Sequence, residues 1–362
     1  MMKKKIGILT FHNAINYGAI LQCYALQTVI KEKGYNVEVL DYTPCYFNKV
    51  FFDPLKPWKA VGIKNKLKSF VKCIVRYKQL KNESIKQKEL KRFISENLVI
   101  SNPINQEVID SFDTIITGSD QVWNLELLEN DTTYLLDFSN NINRVSYAAS
   151  FKVSDIDEFA YQAYKTYLPN FSHISVRENN LKTYLKKELN IESTNVLDPT
   201  LLLSNKKWLS LIKKEKLIKD KYLLIYYVNQ PLNLVSKAFE YAKSHELKVV
   251  SLNEIKGYDD YYNYSSASIE EFLNLIKNAE VIYTTSFHGM AFSIIFNKEF
   301  YFEVPENSYN NNERLLNLAN KLNLLNRNIS LEQAKEKINW TSVNALLMKE
   351  IELSNNFLND SI

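Results

Sequence analysis

Glycine is scarce in this chain: seven in 362 residues, alongside only four histidines and three cysteines. No apolar run reaches the 18 or so residues that a membrane-spanning helix needs. The start, Met1-Met2-Lys3-Lys4-Lys5, resembles the charged front of a signal peptide. However, the apolar stretch Ile6–Thr10 is short, the polar Phe11-His12-Asn13 follows at once, and no cleavage site appears. These absences point to a chain that is neither secreted nor membrane-spanning. Cys23, Cys45 and Cys73 form no C-x-x-C pair and no metal-ligand spacing, which fits a reducing cytoplasm. Neither the dinucleotide fingerprint G-x-G-x-x-G, nor a P-loop, nor a G-x-S-x-G elbow occurs, and Asp259-Asp260 lack the D-x-D spacing of metal-dependent sugar-nucleotide transferases. No cofactor and no metal are expected. The net charge of +4 is too small to argue for nucleic acid, and no such partner is expected.

What is present is a folded composition, 46% hydrophobic and 24% charged, in a chain long enough for two domains. Lys5–Thr10 reads as a buried strand, His12–Tyr17 as a loop and Ala19–Lys33 as a helix ended by Gly34. Asn36–Asp41 follows as a strand, completing a βαβ unit. The same rhythm returns in strands at Phe112–Thr117, Arg144–Ala149, His173–Val176 and Asn195–Leu197. It restarts with Tyr222–Val228, Leu247–Leu252 and Glu280–Tyr283, separated by helical patterns at Leu232–Ser244 and Ser268–Asn278. Ser268 and Glu271 have capping-box spacing. The expected architecture is α/β, with two Rossmann-like domains facing a cleft: residues 1–178, residues 179–340, and a terminal helix over 341–362 that packs back on the first domain.

Residues 45–102 break the rhythm. Thirteen Lys/Arg stand against two Glu between Lys56 and Arg92, with Leu67, Phe70, Val71, Ile74 and Val75 at helical spacing. This predicts a basic helical insert. Its charged side is either a solvated face or a surface that docks on anionic lipid, which would place the protein at the inner face of the cell membrane.

In open parallel sheets ligands bind beyond the carboxyl ends of strands. Five polar clusters fall at such ends: Asn16-Tyr17-Gly18, Ser119-Asp120, Ser150, Arg177-Glu178 and Ser286–Gly289. His288 ends a strand and opens a helix, where backbone N–H groups attract anions, phosphates above all. It is either a donor-site acid or a buried histidine capping its own helix. Gly289 beside it would let a ligand approach the backbone. Arg177 either pairs with Glu178 or grips an anion, and Arg314 is either a second such cation or a surface residue. Asn16 and Gly18 either shape a turn or meet an acceptor. Asp120 is a base, a hydroxyl acceptor or a cap. Asp198-Pro199-Thr200 reads as a turn between the domains.

Taken in order, these segments resemble the bacterial polysaccharide pyruvyl transferases. The resemblance rests on Lys5–His12 with Asn16–Gln22, Gly118–Asn124, Tyr147–Ser150, Ser175–Glu178, Leu197–Thr200 and Ser286–Gly289. It implies a GT-B-like architecture, phosphoenolpyruvate as donor, and a sugar acceptor commonly carried on undecaprenyl diphosphate. The implied product is a pyruvate ketal of a cell-surface polysaccharide. His288 and Asp120 would be catalytic; Arg177, Ser286, Gly289 and Arg314 would bind the donor; Asn16, Tyr17, Gly18, Ser119 and Ser150 would bind the acceptor. Many members carry arginine where this chain has Ser286, so a second cation must come from elsewhere, from Arg314 or Lys152. A nucleotide-sugar glycosyltransferase and a non-catalytic assembly partner are the alternatives.

Overall fold

The computed structural model describes residues 4–44, 77–138, 142–212, 215–228, 230–304, 312–331 and 336–362. The first domain holds strands β1 (Lys5–Leu9), β2 (Asn36–Asp41), β3 (Ile100–Pro103), β4 (Thr114–Thr117), β5 (Asn143–Ala149), β6 (His173–Val176) and β7 (Thr194–Asn195). They form one parallel sheet in the order β3-β2-β1-β4-β5-β6-β7. The second domain holds β8 (Tyr222–Tyr226), β9 (Lys248–Ser251), β10 (Tyr262–Asn263), β11 (Val281–Thr284) and β12 (Glu299–Phe302), parallel in the order β10-β9-β8-β11-β12. Both sheets reverse direction beside their first strand, between β1 and β4 and between β8 and β11. Each reversal leaves a crevice at the strands' carboxyl ends.

Helix α1 (Tyr17–Glu32) sets how the two sheets meet. Thirteen of its sixteen residues are buried, so it is covered on nearly every side rather than along one stripe. One side packs on β1 and β2, the other on the second domain. Tyr17 stacks on Phe272 at 4.5 Å, and its hydroxyl donates to the Ala267 carbonyl at 2.6 Å. Trp208 completes the joint, 5.7 Å from Tyr24 of α1 and 4.9 Å from Phe292 of the second domain. One apolar cluster therefore runs continuously from Ile6 through the joint to Phe300.

Two expectations about boundaries need correction. The first sheet extends to β7, so the first domain continues past residue 178. The end of the supposed basic insert is regular: α2 (Tyr77–Asn97) is the crossover into β3. Leu90, Phe93 and Ile94 bury one side of α2, while Arg92 pairs with Glu89, Glu96 and, across the domains, Glu270. Lys86 lies 4.0 Å over the Tyr17 ring, and burial there pushes its ammonium down to about 8. Residues 45–76, with the apolar set from Leu67 to Val75, lie outside the described residues.

Further along the first domain run α3 (Gln106–Asp110), α4 (Glu158–Tyr167), α5 (Asn179–Leu189) and the short α6 (Asn205–Leu209). The second domain contributes α7 (Leu234–Ser244), α8 (Ile269–Asn278), α9 (Phe287–Ile295) and α10 (Asn312–Lys321). Ser268 and Glu271 form a complete capping box on α8. The last helix, α11 (Trp340–Ser361), returns to the first domain: Ser354 Oγ accepts from Leu197 N at 3.0 Å, and Phe357 lies 6.3 Å from Tyr147. Among the described residues no helix is long and apolar enough to cross a membrane.

Trp208 touches both domains from full burial. Trp208→Ala is expected to cost about 3–5 kcal/mol in urea unfolding and to split the transition, because the joint rather than either sheet is damaged.

Candidate active site

The two crevices open onto one cavity of about 170 Å3. Phe11, Ala14, Asn16, Asp120 and Gln121 line it from the first domain; Val228, Thr285, Ser286, Phe287, His288 and Arg314 line it from the second. Two helix N-termini meet here. Asn16 caps α1 by accepting from Gly18 N at 2.8 Å, and Ser286 caps α9 by accepting from Gly289 N at 3.3 Å. Both helices present the positive ends of their dipoles to the same small volume.

His288 is the second residue of α9 and only 6% exposed. Its ring sits directly on α1: a Cβ at Gly18 would come within 1.9 Å of His288 Nδ1. Gly18 therefore serves as a seat for the histidine. The expected helix begins at Ala19, but α1 starts at Tyr17, so Tyr17 and Gly18 lie in its first turn rather than in a loop. Tyr17, bonded to Ala267 and stacked on Phe272, belongs to the domain joint and not to the cavity wall.

Behind the cavity lies a buried ionic cluster. Arg177 Nη1 donates to Asp198 Oδ2 at 3.0 Å, its Nε to Glu178 Oε1 at 3.2 Å, and its Nη2 lies 3.5 Å from Asp120 Oδ1. Its guanidinium also rests 5.0 Å from the Phe287 ring centroid. Burial opposes the charge, but the three carboxylates raise the Arg177 pKa above the ordinary arginine value. Arg177 is thus occupied inside the protein and does not line the cavity, contrary to its expected grip on an anion. Two more expected site residues join it there. Ser119 Oγ donates to Asp198 Oδ2 at 3.0 Å, and Ser150 Oγ donates to Glu178 Oε1 at 2.9 Å. Both hydroxyls are buried and turned away from an acceptor.

Gly289 has a structural cause as well. A Cβ there would meet Thr284 Oγ1 at 2.3 Å, so its missing side chain lets α9 pack on β11. Arg314, on α10, lines the cavity, 3.5 Å from Asp120 Oδ1. Burial, and then repulsion from Arg177, lower its pKa. Lys152 is not part of the lining. Asp120 stands between the two guanidiniums with a left-handed φ of 76°.

Asp198 is the residue that sequence reasoning undervalued. It does shape the turn, with Oδ1 accepting from Thr200 N at 3.0 Å and from Thr200 Oγ1 at 2.7 Å. Its other oxygen faces His288 Nε2 at 3.7 Å. Among the described residues no group of three His, Cys, Asp or Glu side chains is arranged to hold a metal.

The family model for polysaccharide pyruvyl transferase matches residues 16–303. No curated protein matches the sequence significantly. Similar solved structures include the UDP-GlcNAc 2-epimerase of Methanocaldococcus jannaschii, at 12% identity and a TM-score of 0.46, covering 97% of this chain and 92% of that one. An alpha-glucosyltransferase solved with UDP and DNA gives 11% identity and a TM-score of 0.48, covering 99% and 96%. The E. coli ADP-heptose LPS heptosyltransferase II gives 11% and 0.39, covering 96% and 99%. These likenesses bring no substrate to this chain.

Helix propensity alone would make Gly18→Ala stabilising by about 1 kcal/mol. The contact with His288 should reverse the sign: we expect a loss of about 1–3 kcal/mol in urea unfolding and a displaced His288 ring in a crystal structure.

Proposed function

The chain belongs to the polysaccharide pyruvyl transferase family, and from that premise we propose that it transfers the pyruvyl group of phosphoenolpyruvate to a sugar, forming a ketal. The observation that carries this reading is His288 at the meeting of two helix N-termini, beside Arg314, on a cavity shared by both domains. Phosphoenolpyruvate brings a carboxylate and a phosphate; Arg314 and the two helix ends supply the opposing field. His288 gives a proton to the donor's methylene carbon. A sugar hydroxyl attacks the resulting oxocarbenium-like carbon and phosphate leaves, its bridging oxygen taking the bond electrons. A second hydroxyl then closes the ketal, its proton passing to the released phosphate. The imidazole left after the first step accepts the proton of an attacking hydroxyl. Asn16 and Asp120 orient the acceptor from the opposite wall, and Ser286 shapes the donor side as the cap of α9.

A nucleotide sugar has less support. In doubly wound sheets a diphosphate docks at the helix after the first strand. In the second domain that helix is α7, and the buried Glu303 carboxylate already accepts from Leu232 N, Asn233 N and Leu234 N at 3.0, 2.8 and 3.2 Å. The cavity is also small against the ~300–1,000 Å3 typical of ligand clefts, which suits a three-carbon donor.

His288→Ala should lower phosphate release from phosphoenolpyruvate by about 10²- to 10⁴-fold while the circular dichroism spectrum is kept. Unchanged turnover would remove His288 from the mechanism, and release of nucleotide from UDP- or GDP-sugars would favour the glycosyltransferase reading.

We further propose a lipid-linked acceptor, met at the inner face of the membrane. Lys81, Lys88 and Lys91 leave a basic exposed side on α2. Binding to anionic liposomes that weakens between low and high salt is the expected result. No binding at low salt would mean that this side is merely solvated.

A further inference from the structure

Asp198 is completely buried, just past the last strand of the first sheet, and four donors fix its carboxylate. Thr200 N and Oγ1 hold Oδ1, while Arg177 Nη1 and Ser119 Oγ hold Oδ2, each of this second pair at 3.0 Å. A carboxylate held from four sides cannot swing. The same Oδ2 lies 3.7 Å from His288 Nε2, a buried nitrogen with no hydrogen-bond partner. On its far side the ring rests on the Gly18 backbone near Nδ1. The imidazole is thus clamped between a fixed anion and a helix N-terminus, and a shift of a few tenths of an ångström closes the Nε2 contact to a hydrogen bond. Such contacts commonly tighten when a site fills.

We propose that Asp198 is the positioning residue for His288: it fixes the ring proton on Nε2 and thereby makes Nδ1 the atom that delivers a proton into the cavity. This rests on the reading of His288 as the acid. The charge count supports it. Asp120, Glu178 and Asp198 face Arg177 and Arg314, so in these pairs the carboxylates outnumber the guanidiniums by one on the side that the ring meets. Among the described residues α1 meets the ring at Gly18, and beneath α9 lies the un-ionised Tyr226, its pKa raised by burial. Burial would raise the Asp198 pKa, but His288 and Arg177 outweigh it and hold the carboxyl well below its usual range, so it stays an anion. On transfer the Nδ1 proton goes to the donor's methylene carbon, and Nε2 keeps its own proton on Asp198.

The test is nitrogen-15 NMR of the histidine rings in the full chain, the four histidines being resolved with a His288→Gln control. In wild type the neutral His288 ring should carry its proton on Nε2. In Asp198→Asn that preference should be lost, and the doubly protonated form at neutral pH should shrink. A proton on Nδ1 in the wild-type neutral ring, or identical ring signals in both proteins, overturns the proposal. If Asp198→Asn does not fold, Ser119→Ala serves: it removes one donor from Oδ2, so the carboxylate should pull harder and the doubly protonated form should grow. Unchanged signals there overturn the proposal equally. In the enzyme assay Asp198→Asn should lower kcat roughly 100-fold with little change in KM for phosphoenolpyruvate. Should wild type fail to turn over phosphoenolpyruvate while the ring signals behave as stated, the donor reading falls and the positioning role stands.

Discussion

The burial of one guanidinium governs the rest of the site. Taking the Arg177 charge out of water costs several kcal/mol, recovered only if every donor finds an anion in good geometry. The fold meets that demand with carboxylates from three separate places: Asp120 after β4, Glu178 at the cap of α5, and Asp198 on the linker leaving the first sheet. Those three loops are therefore fixed relative to one another. The second domain is tied in as well, through Phe287 under the guanidinium and through Asn317, which donates to the Arg177 carbonyl at 3.0 Å. Since Asn317 lies on α10, the same contact holds Arg314 at the cavity. Removing one carboxylate would leave a charge buried and uncompensated, a loss of about 3–5 kcal/mol.

Much of the architecture was legible in the chain, because buried strands and amphipathic helices impose their periods on it. The βαβ opening, the α8 capping box and the returning terminal helix lie where the pattern puts them. Three strands carry no readable signal. Ile100–Pro103 is half polar, Tyr262–Asn263 has two residues, and Glu299–Phe302 is a four-residue edge strand beginning with a charge. At such lengths, pairing with a neighbour decides the conformation, not the local sequence.

The site was legible as a set of loops but not as a set of roles. Asn16, Asp120, Ser286 and His288 line the cavity, while Ser119, Ser150 and Arg177 sit behind it. Both groups look alike in sequence, since each is polar and ends a strand. What separates them is a partner far along the chain: Ser119 meets Asp198, 79 positions away. The glycines mislead in a similar way. Beside a histidine, Gly289 suggests close approach of a ligand, yet Gly18 and Gly289 make room for other parts of the protein, the His288 ring and Thr284.

The return of α11 to the first domain has a mechanical consequence. The chain passes between the two sheets twice, outward after Leu197 and back ahead of Ser354, and these two residues are hydrogen-bonded to each other. The outward and returning links are thereby tied into one seam, and a strain that moves either link is passed to the other.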